Sequence, residues 1–150
     1  MKLRNCALLL LIAAAGCSSG AAEKQLPAED ARALIENRNW MDRWPTGEDD
    51  RLYVYRFTPD MGGGVYQDRT LFSGRFELFT YDLAPGRLTI RWHDRGTVET
   101  VPFRVMEVKG PKPFDLKLEV EGTAIGPKTF YGRRSETASA AESFWLGAKR

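Results

Sequence analysis

Between residues 74 and 121 the chain alternates apolar and polar side chains with a period of two. The clearest run covers residues 113–121, in which every second residue from Phe114 to Val120 is apolar and the residues between them are charged. This period is typical of a β-strand that has one face in a core and the other in water. The pattern predicts four strands in this stretch, joined by short turns.

The same interpretation, extended to both sides, predicts eight strands. They are predicted at residues 39–44, 51–57, 62–68, 74–82, 87–93, 98–108, 113–121 and 128–133. Consecutive antiparallel strands usually pair with their neighbours, and eight strands are enough to close a sheet into a small barrel. An open sheet, which is the alternative, would expose two long aromatic edges. We therefore predict a mainly β fold, an eight-stranded antiparallel up-and-down β-barrel.

The alternation also predicts which aromatic side chains line the inside of the barrel, as core or as the wall of a ligand cavity. In residues 74–82 it places Phe76 and Leu78 on one face and Phe79 and Tyr81 on the other, and we assign the face of Phe76 to the interior. Residues 51–57 are apolar on both faces, so their inner face stays open. The predicted lining residues are Trp40, Phe57, Phe76, Trp92, Phe103, Phe114 and Phe130.

Helical patterns flank the predicted strands. Residues 29–37 predict one short helix, because Pro27 suits its start and an apolar stripe follows its acidic first turn. We expect this helix to cap one end of the sheet. The tail, residues 135–150, predicts either a short C-terminal helix or a free end whose apolar residues 144–146, Phe-Trp-Leu, dock on the domain.

The first residues have the order of an export signal. A basic head is followed by an apolar run at residues 6–15, which is too short to span a bilayer, and then by Gly16 and Cys17. These residues resemble the lipobox of bacterial lipoproteins. The resemblance implies cleavage between Gly16 and Cys17 and acylation of the Cys17 thiol. An ordinary secreted protein and a signal anchor are the alternatives.

The lipobox resemblance sets the domain layout and the location. It implies a signal peptide at 1–16, a lipidated tether at 17–27, the barrel at 28–134 and the tail at 135–150. Ser18 follows the acylated cysteine, which implies a lipid anchor in the outer membrane, on its periplasmic face. Loss of Lys2 and Arg4 lowers the 22 basic residues to 20, which equals the 20 acidic residues, so the formal net charge falls from +2 to zero. No basic field remains for nucleic acid.

The order of features across residues 28–133 resembles a bacterial lipocalin-like domain of the calycin type. The features are a leading helix, Trp40 in the first strand, glycines at the second turn and a closing aromatic strand that ends in Arg133. The resemblance implies that Arg133, or Arg134 beside it, lies over the Trp40 ring at the closed end of the barrel. Such a cation–π contact contributes about 0.5–2 kcal/mol.

Few residues could carry chemistry. The one histidine, His93, falls on the polar face of its strand, and zinc needs three or four nitrogen or sulfur ligands. The adjacent carboxylates Asp49 and Asp50, and likewise Glu119 and Glu121, are interpreted as solvated charges rather than as a glycosidase pair. The glycines at 62–64 lack the lysine and the helix of a phosphate-binding loop. We therefore predict a protein that is not an enzyme and holds no metal or cofactor.

Two functions remain open at this stage. One is a membrane-anchored barrel that binds a small apolar ligand inside, since ligand pockets are mostly apolar. The other is an envelope protein with a solid core, whose outer surface and aromatic tail contact a protein partner. The interior of the barrel distinguishes them, because aromatic side chains either leave a cavity there or fill it.

Overall fold

The structure is a computed structural model that describes residues 23–136. Its helices are α1 (Ala28–Ile35) and a single 3-10 turn at Pro59–Met61. Its strands are β1 (Lys24–Gln25), β2 (Asn39–Met41), β3 (Leu52–Thr58), β4 (Gly63–Arg69), β5 (Gly74–Ala84), β6 (Arg87–Trp92), β7 (Val98–Glu107), β8 (Leu116–Val120) and β9 (Thr129–Gly132).

Strands β2 to β9 form a closed barrel. Each strand pairs antiparallel with the next along the chain, and β9 returns to pair with β2 through Met41 and Tyr131. The two-residue β1 lies outside this ring and pairs with the end of β7, with Lys24 opposite Glu107. The predicted eight-stranded antiparallel up-and-down barrel with a leading helix is confirmed.

The element boundaries differ from the sequence-based ones where the chain turns early. β2 ends at Met41 rather than at residue 44, and β8 begins at Leu116 rather than at residue 113. The helix stops at Ile35, and Asn37 adopts a positive φ of 59°. A left-handed residue of this kind is typical of asparagine and reverses the chain sharply into β2.

Helix α1 closes one end of the barrel, which we call the closed end. Ala31 and Ile35 belong to the central core cluster, and the Nε1 of Trp40 donates a 2.9 Å hydrogen bond to the carbonyl of Ile35. The Tyr81 hydroxyl donates a 3.0 Å hydrogen bond to Glu36, just after the helix. Helix and strands are therefore joined by both apolar packing and directed hydrogen bonds.

The opposite end, which we call the mouth, carries four connections. They are residues 42–51 between β2 and β3, 70–73 between β4 and β5, 93–97 between β6 and β7, and 121–128 between β8 and β9. No helix covers the mouth among residues 23–136. The two ends therefore differ in what seals them.

Candidate functional site

Aromatic rings fill the middle of the barrel. Tyr55 lies at the centre, with its ring centroid 4.9 Å from that of Phe130 and 4.8 Å from that of Tyr66. Phe79 and Trp92 pack at 5.3 Å on the neighbouring strands. Contacting rings have centroids about 4.5–7 Å apart, so these rings leave no space for a ligand between them.

Most of the predicted lining residues lie in this core. Trp40, Phe57, Trp92, Phe103 and Phe130 are each at most 4% exposed and belong to the central cluster. They pack against one another and against Tyr55 and Phe79. They therefore lie in the filled interior and enclose no cavity there, although Phe103 also borders a surface depression of about 230 Å³ beside β7.

Phe76 lies on the outside of the barrel, which corrects the predicted inner face of β5. Its side chain is 57% exposed, whereas Phe79 is 1% exposed. The register explains the difference. Gly64 on β4 lies opposite Phe79, and a Cβ added at Gly64 would come within 2.5 Å of the Phe79 ring. The glycine thus leaves the space into which the Phe79 ring packs.

Phe114 is buried but does not lie in the central cluster, which is a second correction. It precedes β8, and its ring packs outside the barrel between Trp44 and Tyr131, with centroid distances of 5.9 and 5.7 Å. The alternation from Leu116 to Val120 predicts an inward Phe114 only if the strand continues back to it. The chain instead turns at residues 111–113.

The closed end buries a different arginine from the expected one. The Arg133 side chain is exposed, and Gly132 packs against Trp40, where an added Cβ would lie 3.1 Å from the ring. Arg38 is 5% exposed, and its Nη1 donates a 2.8 Å hydrogen bond to the carbonyl of Arg133. Burial lowers the pKa of Arg38, while the carboxylates of Glu136 and Asp115 act in the opposite direction.

The mouth contains a depression of about 490 Å³ above the aromatic core. Its floor and one wall are Tyr66 and Tyr53, whose rings stack with centroids 6.3 Å apart. The loop between β8 and β9 forms the facing wall. The full lining is Tyr53, Tyr66, Asp68, Arg75, Glu77, Arg95, Ile125, Gly126 and Pro127.

Two ion pairs frame this depression. Arg95 donates to both carboxylate oxygens of Glu77 at 2.6 Å, and Arg51 does the same to Asp68. These hydrogen bonds hold the pKa of Glu77 and that of Asp68 below their usual values. Both carboxylates are therefore ionised and paired at neutral pH.

Arg75 is the weakly held cation of the mouth. Its Nη2 lies 3.4 Å from Asp68, a carboxylate that Arg51 already binds through two short hydrogen bonds. The Arg75 side chain is 79% exposed. Its guanidinium can therefore rotate toward the depression and bind an anionic group there.

The tyrosine of the floor stays protonated. Burial raises the pKa of Tyr66 well above its usual value, and the nearby carboxylate of Asp68 raises it further. A Cβ added at the loop residue Gly126 would overlap the Tyr66 hydroxyl, so only glycine leaves room for this oxygen beside the loop. A neutral phenol at this position can donate a hydrogen bond to a ligand oxygen.

The sequence interpretation missed the mouth residues Asp68, Arg75, Glu77 and Arg95. They come from strands β4 and β5 and from the 93–97 turn, so no short motif contains them. One feature of the sequence indicated this site. Glu77 lies on the same face of its strand as Phe79 and Tyr81, because the three residues are spaced two apart. A charged residue at the start of an inward aromatic series indicates the rim of a barrel.

The other candidate groups are placed on the surface. His93 is exposed at the β6–β7 turn, and Asp50 accepts main-chain hydrogen bonds from Thr46 and Gly47. Glu119 and Glu121 both pair with Arg104 on the outer face. Residues 23–136 hold no cluster of three or more potential metal ligands.

The chain was compared with protein-family models, with curated proteins and with solved structures. No family model matches it, and neither a curated protein nor a solved structure does so. Among the described residues no helix has both the length and the apolar character that crossing a bilayer requires. Cys17 and the apolar residues 144–146 lie outside the described residues.

Proposed function

We propose that this protein is an exported, lipid-anchored binding protein that takes a small ligand at the mouth of its barrel and catalyses no reaction. The observation that carries the proposal is the contrast between the filled interior and the 490 Å³ depression above it. The ligand therefore sits on the aromatic core rather than within it.

The lining of the mouth selects the chemistry of the ligand. Arg75 offers a positive charge, because its Nη2 lies 3.4 Å from the Asp68 carboxylate and is only weakly bound to it. Tyr66 offers a neutral hydroxyl. Tyr53, Ile125 and Pro127 supply the apolar part of the lining. A small molecule with an anionic group attached to a flat ring fits this set, since pockets combine apolar walls with a few orienting polar groups.

The ionisation of the mouth favours binding over catalysis. A general acid needs a raised pKa and a general base needs access to the substrate. Glu77 and Asp68 have neither property, because their arginine partners lower the pKa of each carboxyl and occupy its oxygens. Their role in this proposal is to hold Arg95 and Arg51 in place.

The proposed anchor orients the mouth. The first described residues lie at the closed end of the barrel, where Lys24 of β1 pairs with Glu107 of β7. The six residue steps from Cys17 to Glu23 reach about 20 Å when fully extended. An acylated Cys17 on the periplasmic face of the outer membrane would therefore hold the closed end near the bilayer and point the mouth toward the periplasm.

A second candidate function is contact with an envelope protein through the outer surface. Phe72, Phe76 and Leu78 are 75%, 57% and 54% exposed on and beside β5. Adjacent exposed apolar side chains of this size are typical of interaction surfaces. In this alternative the solid barrel serves as a rigid support. Crosslinking in cells tests it, with Phe76→Ser as the variant that should lose the crosslinked partner.

Titration with anilinonaphthalene sulfonate, an anion attached to fused rings, tests the mouth site. We expect one saturable site on the folded protein, with NMR amide signal changes centred on Glu77, Ile125 and Gly126. Arg75→Met should weaken binding severalfold, because the sulfonate loses its cation. Arg104→Met is the matched control, since Arg104 pairs with Glu119 on the remote outer face. Signal changes confined to interior residues, or equal effects of both variants, would contradict the proposal.

The anchor has its own test. Labelled palmitate fed to the producing bacterium should be incorporated into the chain, and Cys17→Ser should abolish the label. Cys6→Ser is the control, because Cys6 lies in the signal segment that is removed. Palmitate label that persists in the Cys17→Ser protein would contradict acylation of Cys17 without affecting the mouth site.

A further inference from the structure

A second concave surface lies on the outside of the barrel. It is a groove of about 570 Å³ across β2, β3 and β4, bordered by the 45–50 loop and by the turn at 69–71. Its apolar residues are Met41, Pro45, Leu52, Val54 and Leu71. Val54 is only 6% exposed and lies outside the central cluster, so this groove is separate from the aromatic interior.

The described chain ends at one border of this groove. The Oε1 of Glu136 accepts hydrogen bonds from the main-chain nitrogen and the side-chain amide of Asn39, and it lies 3.9 Å from Nη1 of Arg56. Arg56 also donates to Asn39 at 3.2 Å. Asn39 itself lines the groove. Glu136, the last described residue, therefore lies at the groove's closed-end border.

The following residues have side chains that suit an apolar groove. Residues 144–146 are Phe-Trp-Leu, and alanines and serines precede them. The eight residue steps from Glu136 to Phe144 span about 12 Å as a helix and about 27 Å when extended. Leu52 lies four residues along β3 from Arg56, about 13 Å away. Either conformation can therefore bring the aromatic residues over Leu52 and Val54.

Charge complementarity fixes the direction. The tail continues past its aromatic residues to Lys149 and Arg150. The groove's far border, toward the mouth, carries the acidic loop residues Glu48, Asp49 and Asp50. A segment that starts at Asn39 and runs along β3 brings these opposite charges together.

We propose that residues 137–150 of the same chain occupy this outer groove. Phe144 and Trp145 pack on Leu52 and Leu71, and the two basic residues lie beside the acidic 48–50 loop. The tail then covers apolar surface that would otherwise be open to a second copy, another protein or a lipid surface. This inference concerns the outer face and is independent of ligand binding at the mouth.

Fluorescence of Trp145 tests the proposal on the full chain. The difference spectrum between the protein and its Trp145→Phe variant isolates this indole from the other three tryptophans. We expect Trp145 to be severalfold less accessible to acrylamide than in the isolated peptide 137–150. Leu71→Asp should restore access, because it places a charge in the groove at a residue that is already 56% exposed. Val98→Asp is the matched control, at a 61% exposed residue on the far strand β7.

Four results are possible and each decides the matter. Shielding of Trp145 that persists in the Leu71→Asp variant places the tail on another surface and overturns the proposal. Shielding of Trp145 that is independent of protein concentration and is lost with Leu71→Asp supports the proposal. Shielding that increases with concentration assigns the groove to the tail of a second copy and overturns it. Free access of acrylamide to Trp145 in the full chain overturns it as well. Removal of residues 137–150 gives an independent measurement, since the NMR methyl signals of Leu52 and Val54 should move and those of Val98 should not.

Discussion

The two ends of this barrel differ in what covers the aromatic core, although the same strands run between them. At the closed end, α1 inserts Ala31 and Ile35 into the core, and the indole of Trp40 donates to the Ile35 carbonyl. At the mouth, no described helix covers the aromatic core, and two arginine–carboxylate pairs surround a depression instead. The closed end thus contributes stability through burial, whereas the mouth keeps charged groups hydrated and leaves a surface that a ligand can reach.

The largest expected effect comes from the rings between the two ends. Phe79→Ala should lower the free energy of unfolding by about 3–5 kcal/mol, because a buried phenyl is lost and a cavity remains. Phe76→Ala, three residues away on the outer face, should change it by less than about 0.5 kcal/mol. Urea unfolding followed by tryptophan fluorescence measures both variants. Equal losses would mean that β5 is in the other register.

Phe79→Ala should also alter the contrast between interior and mouth. The cavity it creates is apolar and lies beneath Tyr66, so a neutral apolar dye should bind to the variant and not to the original protein. A dye that binds equally to both proteins would mean that the interior has space for a ligand before any substitution.

The next effect concerns the glycine that faces Phe79. Gly64→Ala places a Cβ 2.5 Å from the Arg56 carbonyl oxygen and from the Phe79 ring, and neither can move away easily. Overpacking of this kind costs about 1–3 kcal/mol, and we expect the upper part of that range. Gly47→Ala is the control, since no heavy atom lies within 4 Å of its added Cβ. A neutral Gly64→Ala would show that β4 and β5 can separate without loss of stability.

Phe79 and Gly64 show why the fold could be predicted from the sequence, whereas the inward face of β5 could not. Alternation and short turns determine the number and order of the eight barrel strands, and both were confirmed, whereas the two-residue β1 was not predicted. In residues 74–82, however, Phe76 and Phe79 give each face an aromatic residue, so hydrophobicity does not distinguish them. The deciding feature is Gly64 on the neighbouring strand, and its role depends on a register that the sequence does not state.

The mouth was unpredictable for a related reason. Its ion pairs join residues far apart in sequence, 17 residues for Arg51 with Asp68 and 18 for Arg95 with Glu77. Each partner alone resembles an ordinary surface charge. Pairing of β3 with β4 and of β4 with β5 brings these charges together, and closure of the barrel adds the β8–β9 loop opposite them. The site therefore follows from the fold and not from a motif.

A smaller effect is expected at the closed end. Trp40→Phe removes the indole N–H and leaves the buried Ile35 carbonyl without its 2.9 Å donor. A buried acceptor without a partner costs about 1–3 kcal/mol, and the loss should fall near the lower limit because the phenyl ring still fills most of the space. Thermal unfolding measures it. Hydrogen exchange should increase in α1 and remain unchanged at the mouth, and uniform acceleration would mean that the two ends unfold together.

The smallest effect lies at the mouth and depends on pH. The hydrogen bonds from Arg95 depress the folded-state pKa of Glu77, with smaller contributions from the charges of Arg95 and Arg75. A depressed folded-state pKa gives stability that is present above the unfolded value of about 4.3 and is lost as the pH falls through the folded value. Glu77→Gln should therefore destabilise the protein slightly at pH 7 and flatten the decline in stability below about pH 4. Asp94→Asn, at an exposed loop carboxylate, is the control. Parallel stability curves for Glu77→Gln and the original protein would mean that the Glu77–Arg95 pair holds the mouth in shape without stabilising the fold.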